Sequence, residues 1–97
     1  MMIYNKNGEN KLSMGAGFNA VGGDGKWQVE KPNKQKIEEV FKNVMPFRQD
    51  GFARVQTEDG NWRLLNIDGK IIQGVTNPAK DVKVREIFGQ KWVELED

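Results

Sequence analysis

The chain has 97 residues, 37% of them apolar and 30% charged, with 15 basic against 14 acidic side chains and a formal net charge of +1. A chain of this length builds one hydrophobic core, so residues 1–97 read as a single domain. The balanced charge offers no general field for nucleic acid or a membrane surface, although a local patch stays open. Cysteine and histidine are both absent, which removes a disulfide framework and the usual ligands of zinc, haem and iron–sulfur clusters.

The first ten residues, Met1 to Asn10, are polar and lack the apolar run of a signal peptide, and no apolar run reaches membrane-spanning length. The expected compartment is therefore the cytoplasm, with no membrane partner. Asn7-Gly8 is the first of five turn-forming pairs; Asp24-Gly25, Asp50-Gly51, Asp59-Gly60 and Asp68-Gly69 follow. Such pairs accept positive φ at both central positions of a type I′ turn, so a hairpin-rich, mainly β fold is expected. The glycine-dense stretches Met14-Gly15-Ala16-Gly17-Phe18 and Val21-Gly22-Gly23-Asp24-Gly25 lack the Lys-Ser/Thr of a phosphate loop and read as turn and bulge glycines.

Residues 33–44 place Ile37, Val40, Phe41 and Val44 at i, i+3, i+4 and i+7, one stripe of a helix. Asn33 after Pro32 suits an N-cap, Glu38 and Lys42 form an i, i+4 pair, and Pro46 stops continuation. The expectation is one short helix packed on a sheet face. Next, Phe52 to Val75 reads as a three-strand meander, 52–57, 62–67 and 70–75. With two-residue turns at Asp59-Gly60 and Asp68-Gly69, Val55 would face Leu64, Thr57 would face Trp62, and Leu65 would face Ile72. The middle strand, Trp62 to Ile67, is apolar on both sides and needs cover on its second face.

An internal repeat relates Gly17–Ile37 to Gly51–Ile71. Gly-Phe-x-x-Val recurs at an offset of 34, and Asp-Gly-x-Trp at 35. The slip of one residue is what a β-bulge produces. A poorer third copy spans Val82–Leu95, where Gly89-Gln90-Lys91-Trp92 echoes Gly-x-Trp, and Ile3–Leu12 is similar to a half-unit. The repeated tryptophans Trp27 and Trp62 read as core anchors.

The string from Phe47 to Ile72, through Phe47, Gly51, Ala53, Val55, Gly60, Trp62, Gly69 and Lys70, resembles a WG-type β-repeat. The Trp-Gly pair of that signature is replaced here: Gln28, Arg63 and Val93 follow the three tryptophans. The resemblance implies a repeat-built β fold acting as an interaction or structural module. It also implies an extended segment before Gly51, so Ile37–Val44 has a strand reading beside the helical one.

Little reactive chemistry is visible. The commonest general base and the best nucleophile are missing with His and Cys. Ser13 is the sole serine, and each Asp-Gly aspartate is explained by turn formation. Asn5 to Glu9 has too few carboxylates for a calcium loop. No catalytic, cofactor or metal residue is assigned, and the chain is expected not to be an enzyme. Lys31, Lys34 and Lys36, and Lys80, Lys83 and Arg85, are small basic clusters that default to solvated surface. Arg54 and Arg63 are expected on one face of adjacent strands. Arg48, Arg54, Arg63, Lys83 and Arg85 are the candidate partner-binding residues. The expected function is a non-catalytic protein-interaction module, such as a small inhibitor, immunity-type or phage-encoded protein that blocks a partner. The alternatives are a nucleic-acid-binding β module, or a structural repeat unit that oligomerises through unpaired strand edges. The acidic end, Glu94 to Asp97, reads as a fraying terminus.

Overall fold

Glycine-directed reversals organise the chain, but they come in two kinds. A computed structural model describes residues 2–4 and 10–94. Met1, the whole Asn5–Glu9 stretch with its Asn7-Gly8 pair, and residues 95–97 lie outside the described residues. In chain order the strands are β1 Met2–Tyr4, β2 Asn10–Gly15, β3 Phe18–Gly23, β4 Lys26–Glu30, β5 Asn43–Met45, β6 Ala53–Gln56, β7 Trp62–Leu65, β8 Ile71–Ile72, β9 Lys83–Ile87 and β10 Gln90–Glu94. All pairings are antiparallel, in sheets ordered β1-β2-β3-β4, β5-β6-β7-β8 and β9-β10. No helix among the described residues is long and apolar enough to cross a membrane.

Asp24-Gly25 closes a two-residue turn with both φ angles positive, 53° and 75°, between the paired Gly23 and Lys26. Ala16-Gly17 and Phe88-Gly89 have the same signature. The other Asp-Gly pairs sit in loops one residue longer. Thr57 N donates to Asn61 O, Gly60 N donates to Thr57 O, and only Gly60 has positive φ. Arg48 with Phe52, and Asn66 with Lys70, repeat this pattern. It is a type I turn followed by a left-handed glycine. The aspartate favours it by accepting from the amide two residues on, as Asp50 Oδ1 does from Phe52 N and Asp59 Oδ1 from Asn61 N.

The longer loop shifts the expected register by one residue. Val55 pairs with Arg63, Arg54 with Leu64, Gln56 with Trp62, and Leu65 with Ile71. Since side chains alternate with a period of two, the slip exchanges faces. Ala53, Val55 and Leu65 enter the main core, while Arg54 shares the other face with Trp62 and Leu64. The third strand ends early: Thr76 N donates to Trp62 O, and Val75 is exposed.

The expected helix over 33–44 is not formed. The segment runs extended beside β4. Ile37 N donates to Val29 O, and Trp27 and Phe41 exchange both backbone hydrogen bonds. It then enters β5, which pairs with β6. Pairing decides the outcome: backbone groups of Ile37 and Phe41 bond across to β4, and β-branched Ile37, Val40 and Val44 suit an extended chain. Asn33 caps a tight turn, its Oδ1 accepting from Gln35 N. The segment is extended but not a continuous strand: Lys36 and Phe41 make isolated bridges to β4, and regular strand begins only at Asn43.

Met14, Phe18, Ala20 and Val29 from the first sheet meet Phe41, Ala53, Val55 and Leu65 in one buried cluster. Trp27 and Phe47 pack against it, and Phe18 and Phe47 ring centroids lie 4.8 Å apart. The second face of the meander is covered by the segment 74–82 rather than by a helix. The anchors of that segment set the position of β9-β10.

Candidate interaction surface

Arg54 is fully buried, and its guanidinium is spent inside the protein. Nη1 donates to Asp50 Oδ1 (3.0 Å) and Phe52 O (2.9 Å), and Nη2 donates to Asp50 Oδ2 (2.7 Å) and Lys80 O (2.7 Å). A bidentate arginine–carboxylate fork of this kind fixes orientation as well as energy. Asp50 Oδ2 also accepts from Val82 N at 2.9 Å. Burial on its own would raise the Asp50 carboxyl. The hydrogen bonds from Arg54, Val82 and Phe52, with the Arg54 charge, outweigh that and hold its pKa down at about 2.

Arg48 adds a second clamp. Its Nε donates to Asp81 Oδ1 at 2.6 Å and its Nη1 to Pro78 O at 3.3 Å. Residues 78–82 are thus pinned to the Arg48–Phe52 loop, and β9 starts at the next residue, Lys83. The buried ion pair roots the C-terminal hairpin.

Beyond that root the hairpin changes character. Every residue of β9 is exposed, and in β10 only Val93 is partly covered. Among the described residues neither strand has a further neighbour. Pairing runs Ile87–Gln90, Glu86–Lys91, Arg85–Trp92, Val84–Val93 and Lys83–Glu94. One side therefore carries Val84, Glu86, Lys91 and Val93. Three of these, Val84, Lys91 and Val93, line an open groove against Phe52, Ile67 and Ile72. The opposite side carries Lys83, Arg85, Ile87, Gln90, Trp92 and Glu94. Trp92 is 55% exposed and Phe88, at the turn, is fully exposed. A two-stranded ribbon standing alone is at best marginally stable in water. Clustered exposed aromatics on such an arm mark a contact surface.

The sequence-chosen cations are not brought together. Arg54 is buried and paired, so it is removed from any partner surface. Arg63 lies on the opposite face of the sheet from Arg54, correcting the shared-face expectation, which rested on the two-residue turn. Its Nη1 donates to Gly74 O at 3.0 Å, and Asp59 lies 3.7 Å from its Nη2. The Asp59 carboxyl is itself held below its ordinary value by the Thr57 hydroxyl, the Asn61 amide and the Arg63 charge. Arg48 is partly exposed but engaged with Asp81. Only Lys83 and Arg85 share an open surface, beside Trp92; Arg85 also reaches Glu94 at 3.2 Å. Trp27 and Trp62 are half-buried, and Trp92 is not a core anchor. The arm's signal was present in the alternation of Lys83 to Glu94, which puts apolar groups on both faces of the hairpin. No protein family, curated protein or solved structure matches the chain.

Proposed function

We propose that this chain is a non-catalytic, cytoplasmic protein-interaction module whose contact element is the arm Lys83–Glu94. The carrying observation is an exposed hairpin bearing Ile87, Phe88 and Trp92, rooted in a buried ion pair. A rigid root with an unpaired, aromatic-rich tip suits recognition by strand addition or by insertion into a partner's pocket. A small protein that blocks a partner by occupying its surface is the specific form of this reading, and the WG-type repeat resemblance agrees with an interaction role. Affinity capture from the source cell tests it, using the wild-type chain beside the double variant Phe88→Asn, Trp92→Ser. A stoichiometric protein should be recovered on the wild type and lost on the variant. Equal recovery on both, or none on either, overturns the reading.

A second reading has its own observation, Lys83 and Arg85 sharing the arm's outer face with an exposed tryptophan. That pairing suits stacking of a nucleic-acid base beside phosphate contacts. Binding to an oligothymidylate would then fall steeply between about 50 and about 200 mM salt. No binding at the lower salt dismisses it.

A further inference from the structure

We propose that a second copy of this chain pairs antiparallel along the free edge of β10, with Trp92 of each copy opposite its twin. The inference rests on the arm being the contact element and names its occupant. The two-residue turn makes Ile87–Gln90 a hydrogen-bonded pair, and such pairs alternate along an antiparallel ladder. Arg85–Trp92 and Lys83–Glu94 are then bonded inward. The N–H and C=O groups of Lys91 and Val93 are left pointing out from the β10 edge.

A two-fold axis at Trp92 sets Lys91 against Val93 of the second copy, and Val93 against its Lys91. Every outward group on β10 gains a partner. Trp92 meets Trp92 at a non-hydrogen-bonded position, where side chains lie closest and aromatic pairs stabilise. Gln90 falls opposite Glu94 of the second copy, so no like charges oppose each other. Two competing arrangements fail on charge: a β9–β9 seam centred on Arg85 sets arginine against arginine, and a β10 seam centred on Lys91 sets lysine against lysine. A seam centred on Val93 would set Trp92 against Glu94 and leave the tryptophans without each other. A net charge of +1 leaves little general repulsion between copies. The product is one four-stranded sheet, β9-β10-β10-β9, which exceeds the two-strand limit of the isolated ribbon.

The chain has no cysteine, so the register can be read by introduced thiols without disturbing Trp92. Gln90→Cys and Glu94→Cys chains are oxidised separately and mixed, after circular dichroism shows both fold like the wild type. Opposed strand positions bring Cα atoms within disulfide reach, so the mixture should form the 90–94 cross-link at least about tenfold faster than either chain forms its own. Lys91→Pro removes an outward donor without breaking the hairpin's own bonds, and should move the wild-type dimer seen by sedimentation to monomer. Equal cross-linking in all three samples, or a wild-type monomer at about 500 μM, well above a weak self-affinity, overturns self-pairing. If the wild type is monomeric yet Phe88→Asn, Trp92→Ser still loses a captured protein, only the self-pairing fails. If capture is also indifferent to the arm, the earlier reading fails with it.

Discussion

Asp50 holds its own turn, neutralises a buried guanidinium and receives the amide that begins the arm. These three roles make it the residue whose ionisation folding feels most. Its folded pKa of about 2 lies below the ordinary 3.8. Its contribution is therefore complete above about pH 4 and is lost as pH falls through about 2, amounting to about 2 kcal/mol. Urea midpoints taken at pH 6, 3.5 and 2 should fall for the wild type and change less for Asp50→Asn. At neutral pH that variant should also be about 3 kcal/mol weaker, because it strands the Arg54 charge. Adding Arg54→Met should recover much of the loss, and a double variant as weak as Asp50→Asn would deny the pair its role.

Glycines divide in the same way, by what surrounds them. At Gly22, φ is 134° and a Cβ would sit 2.2 Å from Lys26 O, a backbone atom that cannot swing aside. At Gly25, φ is 75° and nothing lies within 4 Å. Gly22→Ala should cost about 3 kcal/mol or more, and Gly25→Ala about 1 kcal/mol, the penalty of a left-handed alanine alone. Equal urea midpoints for the two would show that β3 and β4 do not approach as described.

At the scale of elements, the turn pairs were legible because Asp-Gly has a local physical meaning, and the number of residues each loop holds was not. A two-residue and a three-residue loop share the same Asp-Gly, and the difference lies in which backbone groups close the loop: Gly23 pairs with Lys26 around Asp24-Gly25, whereas Thr57 pairs with Asn61 around Glu58-Asp59-Gly60. That one residue moved Arg54 from a supposed surface to the interior, so the candidate cations were the least legible feature. Residues 33–44 misled differently. Ile37, Val40, Phe41 and Val44 satisfy a helical stripe, yet in the fold Ile37 and Phe41 pack on one core from an extended chain. Only the position of β4 distinguishes the two conformations. Hydrogen exchange checks this directly. The amides of Trp27, Ile37, Phe41 and Lys42 bond across to neighbouring segments and should be protected together. A helix would instead protect a consecutive run ending near Val44. Phe41→Ala, at a wholly buried site, should cost about 3–5 kcal/mol.

For the whole molecule, stability and recognition occupy different ends. The principal extents are 49 × 27 × 23 Å, and none of the residues of β9 or β10 joins the buried cluster. Removing apolar bulk from the arm's outer face should thus leave unfolding of the dilute monomer nearly unchanged: at concentrations where sedimentation shows a monomer, Trp92→Ala should shift stability by no more than about 0.5 kcal/mol. The three tryptophans give an optical check on the same division. Trp92 is open to solvent while Trp27 and Trp62 are half-buried. Acrylamide should quench one component of the emission readily in dilute protein, and Trp92→Phe should abolish that component. As concentration rises, the accessible component should become protected in step with sedimentation, because an indole facing its twin across a strand seam is withdrawn from water. An accessible fraction constant over that range, with the same sedimentation coefficient throughout, would leave the arm without a second copy. An emission with no accessible component at any dilution would contradict the exposed arm itself.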